Sequence, residues 1–297
     1  MKFRRGRLSV ASVMLLCIGV VTQAADHSDA PIAGAITRQD ANIVDFHAFV
    51  VGNNLVMAIS TNAAIPMSAK RYVFPTDVTF DINIDVDALV DTSSDPLGDG
   101  GTVLDPESIQ EDITFRVRFR DNGSANVHRI VDKVVQPDPQ MVSLFAGLRD
   151  DPFIRFPRQG RNVAAIVLDV PLSSIPGDQD ALLIWATSRV EEFEGKHQEI
   201  AGRALRSMFP EQNFLNSLHP KDHGPRPEVV IYDISKPAAF PNGRALEDDV
   251  VDLACSLSGE CRVFNMPDEG SGGPTANDLP FLNHFPYLAP PHDPPTV

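Results

Sequence analysis

The sequence predicts a mainly β fold, a twisted antiparallel β-sandwich with two additional helices and long loops. Strand-like segments come first along the chain, the helical patterns come late, and loops rich in glycine, proline or acidic residues separate them. This order favours a sandwich with helical additions over alternating β and α units. The chain has 297 residues, of which 43% are hydrophobic, so it can bury a substantial core.

Residues 79–87 carry the clearest strand pattern, because apolar and polar residues alternate with period two. The apolar face consists of Phe80, Ile82, Ile84 and Val86. The polar face consists of Asp81, Asn83, Asp85 and Asp87. Such alternation predicts a half-buried strand whose polar face is directed toward solvent.

Further strands are predicted on both sides of this segment. A glycine-asparagine turn at 52–54 separates two apolar segments and predicts a hairpin. Residues 115–120 alternate apolar residues with arginine, and Asp121-Asn122-Gly123 predicts a turn after them. The remaining predicted strands are 43–51, 55–60, 127–135, 163–170 and 182–187.

Two helices are predicted late in the chain. At 197–209 and at 244–257, apolar residues recur at helical spacing and form one stripe. From about residue 267 the chain is rich in proline and glycine, which predicts an extended tail that lies over a surface of the domain.

The first 24 residues have the layout of a secretory signal peptide. A basic segment is followed by an apolar run from Val10 to Val21, and Ala24 ends a cleavage site with small residues. We therefore expect residues 25–297 to form a single β-rich domain in the periplasm or outside the cell. A membrane anchor is the alternative, but the apolar run is short for a span, and no later stretch is long enough.

Charge and cysteine content fit an exported protein. The formal net charge is −15, and loss of residues 1–24, with four basic and no acidic side chains, makes it four units more negative. Such a surface repels nucleic acid and anionic lipid, so the expected partner is a protein or a small molecule. Cys255 and Cys261 remain after cleavage and are expected to form a disulfide, with two free thiols as the alternative.

Several segments resemble one bacterial family. They include 27–31 (HSDAP), 45–49 (DFHAF), 147–153 (GLRDDPF), 240–244 (FPNGR), 277–278 (ND) and 285–292 (FPYLAPPH). Through them the chain is similar to domain of unknown function family 4331 over nearly the whole mature length. The resemblance implies one continuous exported domain and implies no reaction.

The polar face of 79–87 predicts a cation site. Residues on one face of a strand lie roughly 7 Å apart, so its carboxylates repel one another unless water or a cation screens them. Oxygen ligands suit calcium. The predicted ligands of calcium or another divalent cation are Asp81, Asn83, Asp85 and Asp87. A solvated polar face is the alternative, and the segment is not an EF-hand loop because Val86 stands where glycine is needed.

A second polar site is predicted from the segments that resemble the family. Its residues are His27, Asp45, Arg149, Asp150 and Asp151. His47 shares a strand face with Asp45, and a carboxylate there would orient and charge the imidazole. A structural ion pair in a compact charged turn at 149–152 is the alternative.

Two functions are compatible with these patterns. The first is an exported, non-catalytic binding or structural protein stabilised by a divalent cation. The second is a metal-dependent extracytoplasmic hydrolase that uses His27, Asp45, Asp150 and Asp151, and it would require these side chains to line one pocket. No nucleophile elbow, phosphate-binding loop or dinucleotide fingerprint is present in the sequence. A copper or nickel carrier is a third interpretation, and it depends on cleavage that leaves Ala25-Asp26-His27 at the mature N-terminus.

Overall fold

A computed structural model gives the arrangement of most of the chain. The residues it describes are 38–62, 65–95, 98–136, 142–154, 160–177, 181–193, 199–202, 210–250, 253 and 274–293.

The described strands form two large sheets and one short ribbon. The four-stranded sheet contains β1 (Ile43–Val51), β2 (Asn54–Thr61), β9 (Ser143–Asp150) and β10 (Asn162–Pro171). The seven-stranded sheet contains β3 (Val78–Asp85), β6 (Ile113–Phe119), β7 (Ala125–Val131), β8 (Val134–Val135), β11 (Ala181–Val190), β12 (Glu199–Ala201) and β13 (Val230–Asp233). The ribbon pairs β4 (Val90–Asp91) with β5 (Thr102–Val103).

Strand pairing is antiparallel in both large sheets. The first sheet has the order β1-β2-β10-β9, and the second has the order β12-β11-β3-β6-β7-β8. Strand β13 pairs with residues 181–184 of β11, and β12 pairs with residues 186–188. Both short strands therefore lie along the same edge of β11.

The two sheets pack face to face over one apolar core. The first sheet contributes Phe46, Met57 and Ile166, and the second contributes Phe80 and Phe115, all of them buried. Burial of such side chains stabilises each by about 1.5–3 kcal/mol. The fold is thus mainly β and sandwich-like, as the sequence predicts.

Short 3-10 helices connect the strands. They are Gln39–Ala41, Pro106–Ser108, Leu172–Ser174, Pro210–Ser217 and Pro220–Asp222. In the part of the chain that the structure describes, no helix combines the length and apolar character needed to cross a bilayer.

The predicted hairpin is confirmed, because β1 and β2 pair across a turn in which Gly52 has a φ of 61°. Glycine suits this left-handed conformation because it has no Cβ. The strand predicted at 127–135 is instead two strands, β7 and β8, because Asp132 and Lys133 turn the chain with positive φ values. The charged turn predicted at 149–152 is also wrong, because Arg149 and Asp150 are the last residues of β9.

Neither predicted helix has the predicted bounds. Residues Glu199–Ala201 form β12, because pairing with the open edge of β11 outweighs a weak local helical preference. Residues 203–209 lie outside the described residues. In the second segment, Arg244 forms a β-bridge with Ala48, and the helical residues described are Val250 and Leu253; residues 254–257 lie outside the description.

The polar face of β3 is buried, which corrects the prediction of a half-buried strand. All eight residues of β3 are buried, including Asp81, Asn83 and Asp85. Period-two alternation identified the two faces correctly, but residues from β6, β11 and the following loop cover the polar one. Only Asp87, beyond the end of the strand, is exposed among the four predicted ligands.

A buried ion pair lies where the edges of the two sheets meet. Ala48 in β1 exchanges two backbone hydrogen bonds with Arg244, of 2.8 and 3.1 Å. The Arg244 guanidinium binds both carboxylate oxygens of Asp45, and these residues are 3% and 2% exposed. The backbone N–H of Gly243 donates to the carbonyl of Ile231 in β13, at 2.9 Å. Residues 243–244 therefore join an edge of each sheet.

Breaking this ion pair should destabilise the protein strongly. Arg244→Met leaves the Asp45 carboxylate buried without its counter-charge, so we expect a loss of about 3–5 kcal/mol in the free energy of unfolding, measured by urea denaturation. The double variant Asp45→Leu/Arg244→Met should recover much of that loss, because no charge stays buried. Equal losses in the single and double variants would contradict this account.

Candidate metal centre

The structure does not bring the predicted polar site together. Asp45 lies on β1, Asp150 lies on β9, and these strands form opposite edges of the four-stranded sheet. Three strand spacings of about 4.8 Å place the two strands roughly 14 Å apart. His27 lies outside the described residues.

The neighbours of Asp150 on the chain have separate contacts. The Arg149 guanidinium carbon lies 3.9 Å from the centre of the Phe145 ring, which is a cation–π contact. Burial lowers the pKa of Arg149. The Asp151 carboxylate accepts the backbone N–H of Phe153 at 3.2 Å and so fixes the chain as it leaves β9.

Asp150 instead meets the C-terminal segment, by which we mean residues 274–293. This segment contains no described strand or helix, and it packs on the outer face of the four-stranded sheet. Leu288 is buried there against Val56 and Val167, and the ring of Tyr287 contacts Phe49 edge-on at 5.9 Å between centroids. The apolar contacts therefore hold the segment on the sheet and position the polar residues at its two ends.

Polar contacts fix both ends of the segment beside the end of β9 and the start of β10. Asn162, opposite Asp150 in the sheet, accepts the backbone N–H of His292 at 2.8 Å. The Asn277 amide donates to Asp150 Oδ2 at 2.6 Å, and the carbonyl of Ala289 accepts the backbone N–H of Asp150 at 3.3 Å. These bonds bring Asp278 and His292 to the Asp150 carboxylate.

The Asp150 cluster, defined as Asp150, Asp278 and His292, has the composition of a metal site. One ligand atom from each residue lies within 4.8 Å of the other two. His292 Nε2 is 2.9 Å from Asp150 Oδ1 and 3.4 Å from Asp278 Oδ2. Asp150 is 1% exposed.

Two atoms of this cluster have unmet bonding capacity. Asp150 Oδ1 and His292 Nε2 are buried, and neither has a hydrogen bond of acceptable geometry to any described residue, although they are in contact. A buried polar atom without a partner is costly. Since the two atoms approach each other off the hydrogen-bond direction, a cation bound between them would satisfy both. Asp278 Oδ2, which already accepts the backbone N–H of Gly160 at 2.5 Å, would be its third ligand.

The electrostatics of Asp150 also favour a cation. Burial raises the pKa of Asp150 to about 7, and the nearby Asp278 and Asp151 add to the rise, while the Asn277 hydrogen bond and His292 oppose it. Ionisation of this carboxylate is therefore unfavourable without a compensating charge. A divalent cation would supply that charge and displace the proton.

The predicted calcium ligands Asp81 and Asn83 have protein partners instead. Arg116 faces Asp81 across the β3–β6 pair and donates two hydrogen bonds of 2.8 Å to its carboxylate. Asn83 Oδ1 accepts the Thr114 hydroxyl at 2.9 Å. Both side chains are thus directed at neighbouring strands and do not converge with Asp85.

Asp85 and Asp87 come together with Asp112, within 4.8 Å of one another. The Asp85 carboxylate, however, accepts backbone N–H groups from Ala88 at 2.8 Å and Gln110 at 3.0 Å. Burial raises the pKa of Asp85 to about 6 despite these bonds. We interpret Asp85 as a carboxylate that organises the turn after β3, because its oxygens already accept backbone N–H groups.

Asp278 and His292 were not among the site residues predicted from the sequence. His292 lies within the segment 285–292 that resembles the family, but no local pattern pairs it with Asp150, 142 positions earlier in the numbering. Cys255 and Cys261, the predicted disulfide, lie outside the described residues.

Comparisons of the chain with models of protein families, with curated proteins and with solved structures found no match. The resemblance to domain of unknown function family 4331 therefore stays a prediction.

His47 differs from its prediction, because it is neutral rather than charged by Asp45. It is 1% exposed, and its Nε2 lies 3.7 Å from Asp45 Oδ2. Burial lowers the pKa of His47 well below its usual value, and the positive charge of Arg244 lowers it further. Arg244 is the stronger partner of Asp45, so the imidazole gains no net attraction for a proton.

This shift predicts a loss of stability in mild acid. Below about pH 6.5 the unfolded chain protonates His47 and the folded protein does not, so the free energy of unfolding falls by up to about 1.4 kcal/mol per pH unit until the folded-state pKa is reached. His47→Gln should remove this contribution to the slope of stability against pH between 6.5 and 5. His128→Gln, which removes an exposed histidine, is the control; identical slopes for wild type and His47→Gln would contradict the assignment.

Proposed function

We propose that the protein is an exported, non-catalytic binding or structural protein in which a divalent cation fastens the C-terminal segment to the sandwich. The ligands of this cation are Asp150, Asp278 and His292. The observation that carries the proposal is the buried Asp150 Oδ1, which has no hydrogen bond to any described residue and lies 2.9 Å from a histidine nitrogen.

The donor set favours a transition metal such as zinc over calcium. Calcium takes six to eight oxygen ligands, whereas zinc is bound by histidine nitrogen together with carboxylate oxygen. One imidazole and two carboxylates from three residues match the second case. The cation would bind Asp150 at the end of β9 and both ends of the C-terminal segment, at Asp278 and His292.

This connectivity supports a structural role for the cation. A metal that joins positions 278 and 292 closes the segment between them and ties it to the sheet, so binding stabilises the folded state. The hydrolase alternative requires Asp45 beside Asp150 and Asp151, and these residues lie on opposite edges of one sheet. Among the described residues that the hydrolase would use, Asp45 therefore shares no pocket with Asp150 and Asp151.

Export is part of the proposal. Its support is the signal-peptide pattern of residues 1–24, which lie outside the described residues, and the strongly acidic composition of the remainder. The expected location is the periplasm or the extracellular space, and the expected partner is a protein or small molecule rather than nucleic acid.

Zinc should stabilise the metal-free protein through the Asp150 cluster. After treatment with a chelator, free zinc at 100 times its Kd should add about 2.7 kcal/mol to the free energy of unfolding, which raises the Tm by roughly 5 °C. Asp150→Asn and His292→Gln each remove one ligand and should lose most of this rise. The measurement is differential scanning calorimetry with and without zinc.

Asp87→Asn is the matched control, because it neutralises an exposed aspartate in the other acidic cluster. This variant should keep the full response to zinc. A zinc response that is absent in the wild type, or that falls equally in Asp150→Asn and Asp87→Asn, would overturn the proposal.

A further inference from the structure

A groove of about 320 Å³ lies on the outer face of the seven-stranded sheet. Asp81, Arg116 and Arg189 line it from β3, β6 and β11, and Lys133 and Val135 line it from the β7–β8 hairpin. These strand residues alternate with core residues such as Phe80 and Phe115, so they belong to the face that points away from the sandwich core. The volume is in the range of small-molecule sites.

The charge of this groove differs in sign from that of the chain. Its lining contains three cationic side chains, Arg116, Lys133 and Arg189, and two carboxylates, Asp81 and Glu111. The groove thus has one excess positive charge in a protein whose formal net charge is −15. A positive site on an acidic protein concentrates anions locally.

Not all of that positive charge is neutralised by the carboxylates. Arg116 engages both oxygens of Asp81 at 2.8 Å, whereas Arg189 approaches the same carboxylate at 3.4 Å. Arg189 Nε is buried and has no hydrogen-bond partner among the described residues. Lys133 is exposed at the side of the groove and makes no ion pair with any described residue.

The remaining polar groups can recognise hydroxyl groups. The hydroxyls of Thr114 and Thr187 and the amide of Asn83 lie on the same lining. Trp185 also lines the groove but is 1% exposed, so its ring offers little surface for stacking. Charge-assisted hydrogen bonds from Arg189, with hydroxyl contacts around them, suit a carboxylate on a polyhydroxylated molecule.

We propose that this groove binds a small hydroxylated carboxylic acid, of the sugar-acid class, with its carboxylate bound by Arg189, while Lys133 at the opposite end of the groove adds to the positive field that attracts it. The inference deepens the binding role proposed above by naming a ligand class. It uses no residue of the Asp150 cluster, which lies on the other sheet, so the two proposals can fail separately.

Isothermal titration calorimetry of the whole mature protein with D-glucuronate tests the proposal, and D-glucose serves as the neutral probe of similar size. We expect glucuronate to bind at least about tenfold more tightly than glucose, because glucose lacks the carboxylate. Arg189→Gln should weaken glucuronate binding by about tenfold or more, and Lys133→Gln should weaken it by a smaller factor that declines as salt is raised. Lys133 is exposed, so its replacement does not disturb folding.

Arg118→Gln is the matched control. Arg118 lies two residues from Arg116 on the same face of β6, is exposed, and bonds to Thr79 outside the groove lining. At physiological salt its replacement should change the affinity less than twofold, because the lost charge is screened. Absence of glucuronate binding, equal affinity for glucose, or wild-type affinity in Arg189→Gln would overturn the proposal.

A repeat of the titration in 1,10-phenanthroline separates this site from the metal centre, because this neutral chelator removes zinc without adding a carboxylate. Unchanged glucuronate affinity is expected. Binding that requires zinc would contradict a ligand site formed by Arg189 and Lys133.

Discussion

This structure depends on compensating the negative charge of carboxylates that are buried between the two sheets or on their outer faces and edges. A buried negative charge is stable only with a counter-charge or several hydrogen-bond donors. Arg244 compensates Asp45 where the edges of the sheets meet, and Arg116 compensates Asp81 on the outer face of the second sheet. Asp85 instead receives backbone N–H groups. Asp150 has an amide donor and a neighbouring histidine, and its Oδ1 accepts no hydrogen bond from the part of the chain that the structure describes. The same requirement that explains the arginine pairs therefore points to a cation at Asp150.

The C-terminal segment connects this electrostatic requirement with packing. Its apolar side chains cover the outer face of the four-stranded sheet, which would otherwise expose Val56, Ala58 and Val167 to water. The same segment carries Asp278 and His292 to Asp150. Packing positions the ligands. The cation would bind both ends of the C-terminal segment, so apolar packing and metal binding would stabilise the same attachment to the sheet.

The sequence allowed the sandwich to be predicted because its long strands alternate clearly, as in 79–87 and 115–120. It did not predict β12, because three residues carry too little periodicity to oppose a helical stripe. The polar face of β3 was identified correctly, but its burial depends on Arg116 and Arg189 from two other strands. Asp150 was among the predicted site residues, whereas Asp278 and His292 reach it through tertiary packing. Contacts between residues more than 100 positions apart leave no local pattern to read.

The most direct test of the central claim is hydrogen–deuterium exchange of the C-terminal segment, measured by mass spectrometry with zinc and after its removal with a neutral chelator. If the cation fastens the segment, protection of the backbone N–H groups of Leu282, Tyr287 and His292, which are hydrogen-bonded in the folded structure, should fall when zinc is removed. Protection of β3 in the opposite sheet should stay the same. Equal protection of the segment with and without zinc would contradict the account.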